Sequence, residues 1–195
     1  MSSPIRTDNL VRTDLRVLTA VQGSVGSLPG AVRVARGMSH FGEHALGWIA
    51  IGGVGAVVDS ARREQWASVA VGAVGAHAAS IVVKRISRRR RPTHPSVRVG
   101  VSTPSRFSFP SSHATSTTAA ALLIGRASGL PVAPVLVPAM LVSRLVLGVH
   151  YPSDVLVGSA LGALSAAATV RAEKNAAVRF GLTGGDAAAT TAGAA

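Results

Sequence analysis

Five apolar segments dominate this sequence, and their lengths leave few folds open. They run from about Phe41 to Val58, Trp66 to Ser87, Ser112 to Leu130, Leu130 to Val149 and Pro152 to Val170. A helix needs roughly 20 residues, within about 17–25, to cross a bilayer, and each segment is just long enough. Their hydrophobicity comes mainly from Ala, Val, Leu and Gly, with aromatic residues only 4% of the chain. Side chains this small suit helices packed closely within a membrane better than a water-soluble core. The pattern predicts an all-α, polytopic membrane bundle of about five transmembrane helices. Gly42, Ala50 and Gly53 in the first segment, and Gly158, Gly162 and Ala166 in the fifth, read as helix-packing faces. Two segments carry an arginine. Arg126 can reach the near interface with its long stem, whereas Arg144 sits in mid-pattern, where a charge within the membrane marks a functional site by default.

Three regions follow from this pattern. Residues 1–38 are polar and lightly amphipathic: Leu10, Val11, Leu15 and Leu18 fall near helical spacing, with Arg12, Asp14 and Arg16 between them. They read as an N-terminal amphipathic helix at the membrane surface, with a partly ordered tail as the alternative. Residues 39–174 form the transmembrane domain. Residues 175–195 are of low complexity and are expected to be disordered. The N-terminus lacks the apolar core of a cleaved signal peptide. The absence of cysteine excludes disulfides, thiolate catalysis and cysteine metal sites.

The net charge of +12 calls for an acidic partner: nucleic acid, anionic lipid or a phosphorylated substrate. Its densest source is Lys84 to Pro92, with six positive charges directly after the second apolar segment. Lys84 and Arg91 are seven residues apart and share one face if the helix persists to Pro92, which would then stop it. Arg85, Arg88, Arg89 and Arg90 read as surface charge. Two more clusters lie downstream: Phe109-Pro110-Ser111-Ser112-His113 at the start of the third segment, and Ser143-Arg144, His150 and Asp154 bridging the fourth and fifth.

The arrangement K-x6-R-P, then P-S-x-H, then S-R-x5-H-x3-D resembles the three-part signature of the type 2 phosphatidic-acid phosphatase family. Bacterial lipid phosphatases, glucose-6-phosphatase and vanadium haloperoxidases share that signature. The resemblance spans about residues 66–170. It departs at Ser112, where the family carries a glycine that lets backbone N–H groups approach phosphate; serine can do the same if its φ is negative. The resemblance implies phosphoryl transfer, in which cations neutralise the equatorial oxygens around an in-line nucleophile. Lys84, Arg91 and Arg144 would supply the cations. Ser111, with the backbone N–H groups of Ser112 and His113 at a helix N-terminus, would complete the phosphate cradle. His150 would be the nucleophile, forming a phosphohistidine, and Asp154, one helical turn on, would fix its tautomer. His113 would protonate the leaving alkoxide and then activate water. No cofactor and no metal is expected, because the carboxylates are too few and too scattered to hold an ion.

Glu43 and His44, at the start of the first span, either contact the substrate head group or only cap the helix. His77 reads as a packing residue, with support of Lys84 from the same face as the second choice. His40 and His94 have no assigned role. With five spans, the N-terminal region and all three motifs share one side, which holds fourteen of the twenty Lys and Arg residues against six on the other. Setting aside the three catalytic candidates leaves eleven against six, so the positive-inside rule puts the site at the cytoplasmic face of the cell membrane. The expected partners are a lipid-linked phosphate substrate and membrane lipids, not nucleic acid, and a homo-oligomer stays open. Within the resemblance, a short, cytoplasm-facing member rich in Ala, Val, Gly and Arg implies decaprenylphosphoryl-5-phosphoribose as the first choice of substrate, ahead of polyprenyl diphosphate or phosphatidylglycerophosphate, although the signature itself does not choose among them. A non-enzymatic basic membrane scaffold would explain the arginine run but not His113, His150 and Asp154 at their spacing.

Overall fold

The computed structural model describes residues 4–179, and all of their extended regular structure is helical. Seven helices follow in order: α1 (Pro4–Gly23), α2 (Ala31–Phe41), α3 (Leu46–Val58), α4 (Arg63–Ser87), α5 (Ser112–Ser128), α6 (Ala133–Val146) and α7 (Pro152–Arg179). Helix α5 is the central element. It packs against α4 and α7, while α3 lies against the outer side of α4 and α6 joins α5 to α2. Thr115 to Ala121 are all buried, although four of these seven residues are Thr or Ser. Two of them give their hydroxyls to carbonyls one turn back, Thr115 to Ser111 at 2.8 Å and Ser116 to His113 at 3.5 Å, while those of Thr117 and Thr118 are buried without a partner.

Small residues set these contacts. A Cβ on Gly162 would lie 2.3 Å from the Thr115 carbonyl, and one on Gly158 would lie 2.8 Å from the Ser111 carbonyl, so α7 touches the α5 backbone there. In α3 the close approach is made by Gly52 and Gly55, which meet Ala70 and Trp66 of α4. Gly53 faces open space, so the packing face is offset from the Gly42, Ala50 and Gly53 stripe read from the spacing. Chain turns fall where the sequence signals them: Gly129, in the left-handed region at φ 78°, closes α5 through its N–H to the Gly125 carbonyl.

Two stretches, Ser60–Ser87 and Pro152–Arg179, each of 28 residues, are long and apolar enough to cross a bilayer. Helices α2 and α3 qualify jointly, across a 50° bend. Helices α5 and α6, with 17 and 14 residues, are shorter. The chain is therefore an all-helical membrane protein with two to three apolar spans by length and composition.

Four details differ from the expectations. Helix α2 runs through residue 38, so no break marks the expected border there, and α1 is packed on the body through the fully buried Leu18. The first apolar segment opens with a break rather than a helix: His44 and Ala45 both have positive φ, at 50° and 61°. Residues 175–179 continue α7, while the remainder of the expected disordered tail lies outside the described residues. Finally, α4 does not persist to Pro92. It ends at Ser87, with Arg88 in the left-handed region at φ 51°. The backbone groups beyond it pair elsewhere: Ser108 N–H donates to the Arg89 carbonyl at 2.8 Å, and Arg90 bridges Phe107. Pairing with the loop replaces the helical ladder.

Candidate active site

A cavity of about 380 Å³ opens where the α2–α3 break, the end of α4, the start of α5 and the α6–α7 turn converge. Lys84, Arg91, His113, Arg144 and His150 line it, with Ser112, Glu43 and His44 at its sides. Three motifs that lie far apart in sequence thus meet around one space.

Each side chain reaches the cavity for a local reason. Lys84, on the last turn of α4, is buried, and its Nζ donates to the Pro110 carbonyl at 2.8 Å. The Phe107 and Ser108 carbonyls lie at 3.4 and 3.5 Å, so the ammonium also fastens the loop above it. Arg91 arrives on the extended segment rather than on a helix. Its Nε donates to the Ser105 carbonyl at 2.8 Å and its Nη1 to that of Val149 at 2.7 Å. Burial lowers Arg91 to about 10, which leaves it charged at neutral pH.

Ser111 caps α5: its side chain accepts from Ala114 N–H at 3.4 Å, and its own N–H donates to the Asp154 carbonyl at 3.0 Å. It is fully buried and does not line the cavity. Ser112 does, with its hydroxyl 2.7 Å from that of Ser80. As the first helical residue, Ser112 stands at the N-terminus of α5, where free N–H groups and the helix dipole favour an anion. The His113 Nε2 lies 2.9 Å from the Ser39 carbonyl. A carbonyl can only accept, so Nε2 carries the proton and Nδ1 is the nitrogen left for exchange.

Arg144 is 1% exposed, and neither its Nε nor its Nη1 has a hydrogen-bond partner. A buried guanidinium in that condition is costly unless an anion meets it. His150 is also buried, with its Nε2 3.2 Å from Arg91 Nη1. An arginine N–H can only donate, so Nε2 is the bare nitrogen and Nδ1 bears the proton. Burial lowers the pKa of His150 well below 6.5, and Arg91, Arg144, Lys84 and His113 lower it further, so the ring is neutral. Its Nδ1 is 3.6 Å from Asp154 Oδ2, beyond hydrogen-bond reach. That oxygen accepts the Tyr151 N–H at 2.8 Å instead.

Glu43 and His44 sit in the strained break, His40 pairs loosely with Glu43 at 3.9 Å, and the His44 and His77 rings are 5.9 Å apart. His77 borders the cavity, with its Nδ1 buried and unpartnered. Two residues escaped the sequence reading. Arg89, taken as surface charge, is paired with Asp154 at 2.9 Å and with Asp14 of α1 at 2.8 Å. No local pattern signals a contact that joins positions 75 apart. Among the described residues, no group of three or more His, Asp or Glu is arranged to hold a metal ion.

Known proteins resemble the chain along most of its length. A decaprenylphosphoryl-5-phosphoribose phosphatase from Mycobacterium tuberculosis is 55% identical over 152 residues, covering 78% of this chain and 86% of that protein. The protein of the same name from Mycolicibacterium smegmatis is 55% identical over 142 residues, covering 73% and 79%. Among solved structures, a transmembrane PAP2-type phosphatidylglycerolphosphate phosphatase from Bacillus subtilis superposes with a TM-score of 0.61 at 22% identity, covering 83% of this chain and 86% of that one. The match to the PAP2 superfamily itself covers residues 65–177, from the start of α4 almost to the end of α7, and by that match the chain belongs to this superfamily.

Proposed function

We propose that this protein is a lipid phosphatase that removes the 5-phosphate of decaprenylphosphoryl-5-phosphoribose through a phosphohistidine at His150. The observation that carries the reading is the unpartnered, buried Arg144 guanidinium in the same cavity as Arg91, Lys84 and the bare Nε2 of His150. A dianionic phosphoryl group meets all three cations and presents phosphorus to the nucleophile. The 55% identity to phosphatases named for this substrate supports its choice over phosphatidylglycerophosphate.

In the first step His150 Nε2 attacks phosphorus and the P–O bond to the ribose carbon chain breaks. The alkoxide keeps the electron pair and takes a proton from Nδ1 of His113, which enters this step as imidazolium, its second proton acquired with the phosphate dianion bound and its Nε2–H kept on the Ser39 carbonyl. Arg91, Arg144 and Lys84 hold the three equatorial oxygens as their charge is redistributed, and the Ser112 and His113 N–H groups add the α5 terminus. Water then attacks the phosphohistidine and gives its proton to His113; the P–N bond breaks and inorganic phosphate leaves. Asp154 orients His150 and stabilises positive charge on its ring. Ser111 serves the cradle through its cap, by holding the first turn of α5. Glu43 and His44 face the ribose.

A second, apolar cavity of about 440 Å³, lined by Met38, Phe41, Trp48, Ile51, Leu136 and Met140, adjoins the site and suits the prenyl chain. Gly42 lies between a lining residue of each: a Cβ there would lie 2.9 Å from the His113 ring and 3.3 Å from Met140 Cε. The full reading has α5 and α6 completing five spans, with the site on the cytoplasmic face. A reporter at the C-terminus is then expected outside the cell, and a cytoplasmic signal would reject that orientation. The substrate test is phosphate release by purified protein from decaprenylphosphoryl-5-phosphoribose, polyprenyl diphosphate and phosphatidylglycerophosphate. The first is expected to give the highest kcat/KM, and a preference for either of the others would reassign the substrate.

A further inference from the structure

Helix α1 lies outside the segment that defines the superfamily, yet one of its acidic residues is built into the site. Asp14 is 7% exposed. Its Oδ2 takes Arg89 Nη2 at 2.8 Å, and its Oδ1 accepts the backbone N–H of Ser153 at 3.0 Å. The Ser153 hydroxyl also bonds Asp14 Oδ2. The other arm of Arg89 reaches Asp154 Oδ1 at 2.9 Å and the Ser153 hydroxyl at 2.6 Å. The guanidinium itself lies over the Tyr151 ring, 4.1 Å from its centre. One planar cation therefore bridges a carboxylate on α1 and the carboxylate beside His150. Asp14 also supplies an anion and an acceptor at the first turn of α7, which carries Asp154.

We propose that Asp14 is a positioning residue for the phosphoryl-transfer reaction, acting through Arg89 to set the orientation and effective charge of Asp154 and thereby the tautomer of His150. This rests on the reading of His150 as the nucleophile. The geometry requires the two-carboxylate arrangement. Asp154 Oδ2 is turned to the Tyr151 N–H and stands 3.6 Å from His150 Nδ1 because its partner oxygen is held by Arg89. If Arg89 were not shared with Asp14, its whole charge would fall on Asp154 and weaken the field that Asp154 exerts on the imidazole. His150 faces three cations, Lys84 from α4, Arg91 from the loop and Arg144 from α6, with the His113 ring of α5 also beside it. Asp154, on α7, is the carboxylate within reach of it, so what neutralises Asp154 matters.

A simple staple between α1 and the body is the competing account, and α1 has a separate staple that serves as its control. Gln22 donates to the Arg98 and Val146 carbonyls at 2.7 and 3.0 Å and accepts the Arg98 N–H at 3.0 Å, away from Arg89. The test compares Asp14→Asn, Arg89→Gln, their double variant and Gln22→Leu by kcat, KM, melting temperature and the nitrogen spectrum of labelled histidine. Asp14→Asn is expected to lower kcat about tenfold, the lower end of what loss of an orienting partner costs, with KM within about twofold. The double variant should be no slower than Arg89→Gln, since both changes cut one chain. Gln22→Leu should lower the melting temperature and leave kcat. In the spectrum, Asp14→Asn should add signal from the Nε2–H tautomer of His150, identified by its loss in His150→Ala.

Unchanged kcat in Asp14→Asn, additive losses in the double variant, or an equal kcat loss in Gln22→Leu would each overturn the inference. If Asp14→Asn does not fold, Arg89→Lys carries the same test, because a single ammonium cannot bridge both carboxylates, and unchanged kcat there would be equally fatal. The histidine spectrum needs no turnover. An inactive wild type would therefore reject the phosphatase reading, while an unchanged His150 spectrum in Asp14→Asn would reject the positioning role by itself.

Discussion

Arg144 concentrates the energetic cost of this site in one side chain. It is among the largest fully buried side chains of the protein, and two of its nitrogens have no partner. Replacing a buried ion pair by apolar residues of similar volume is often neutral or stabilising, by about 1–4 kcal/mol, and a buried guanidinium with unpartnered nitrogens lacks even the pair's attraction. Arg144→Met is therefore expected to raise the melting temperature while abolishing turnover. Added inorganic phosphate should raise the melting temperature of the wild type and not of the variant. A variant that melts lower than wild type would mean the guanidinium is satisfied after all. That Arg144, His113 and His150 belong together was legible in the P-S-x-H and S-R-x5-H-x3-D clusters, and one cavity brings them together. Arg89 was not, because four adjacent arginines look alike until Asp14 is brought beside one of them. Ser111 was legible as part of the P-S-x-H cluster, but its fully buried position, capping α5 from behind the cavity, is a matter of packing that spacing does not encode.

At the scale of elements, the site depends on where helices stop and how closely they approach. The apolar segments led correctly to helices, and eight of their ten starts and stops fall within three residues of the expected ones. Helix α4 stops at Ser87 with its apolar segment, but the basic run beyond it does not stay helical to Pro92, although arginine is a good helix former and the proline is the next visible stop. What ends α4 is competition from the 105–110 loop, whose backbone takes up Arg89 and Arg90. Arg91 thereby gains the freedom to reach Val149 and His150, which a rigid helical turn would not give it. The α7 stripe of small residues also has a specific task. Gly158 lets α7 touch the Ser111 backbone, which sets the α5 N-terminus against the turn carrying His150. Gly158→Val should overpack this contact, cost about 1–3 kcal/mol in stability and displace the phosphate cradle. Lower kcat in the folded fraction is the expected result; normal kcat and melting would show that α5 is positioned by other contacts.

Over the whole molecule, the bundle holds a cation-lined cavity and an apolar one, and α1 packs against α6 and α7. The central α5 tolerates four buried hydroxyl residues because they sit between helices rather than facing lipid, and exposed apolar side chains such as Val57, Val71, Val82 and Leu164 form the outer surface. The membrane character of the chain was legible from hydrophobic segment length alone. The bend between α2 and α3 was not, because Gly42 and the positive φ of His44 and Ala45 serve the approach of Ser39 to His113, a contact 74 residues apart. The claim at the centre of this account is that His150 takes the phosphoryl group. Purified protein mixed with substrate carrying a radioactive 5-phosphate, and quenched in alkaline denaturant within one turnover, tests it directly. Label should appear on the protein as base-stable, acid-labile phosphohistidine at position 150 and be absent from His150→Ala. Phosphate release without labelled protein, or undiminished release by His150→Ala, would contradict the account.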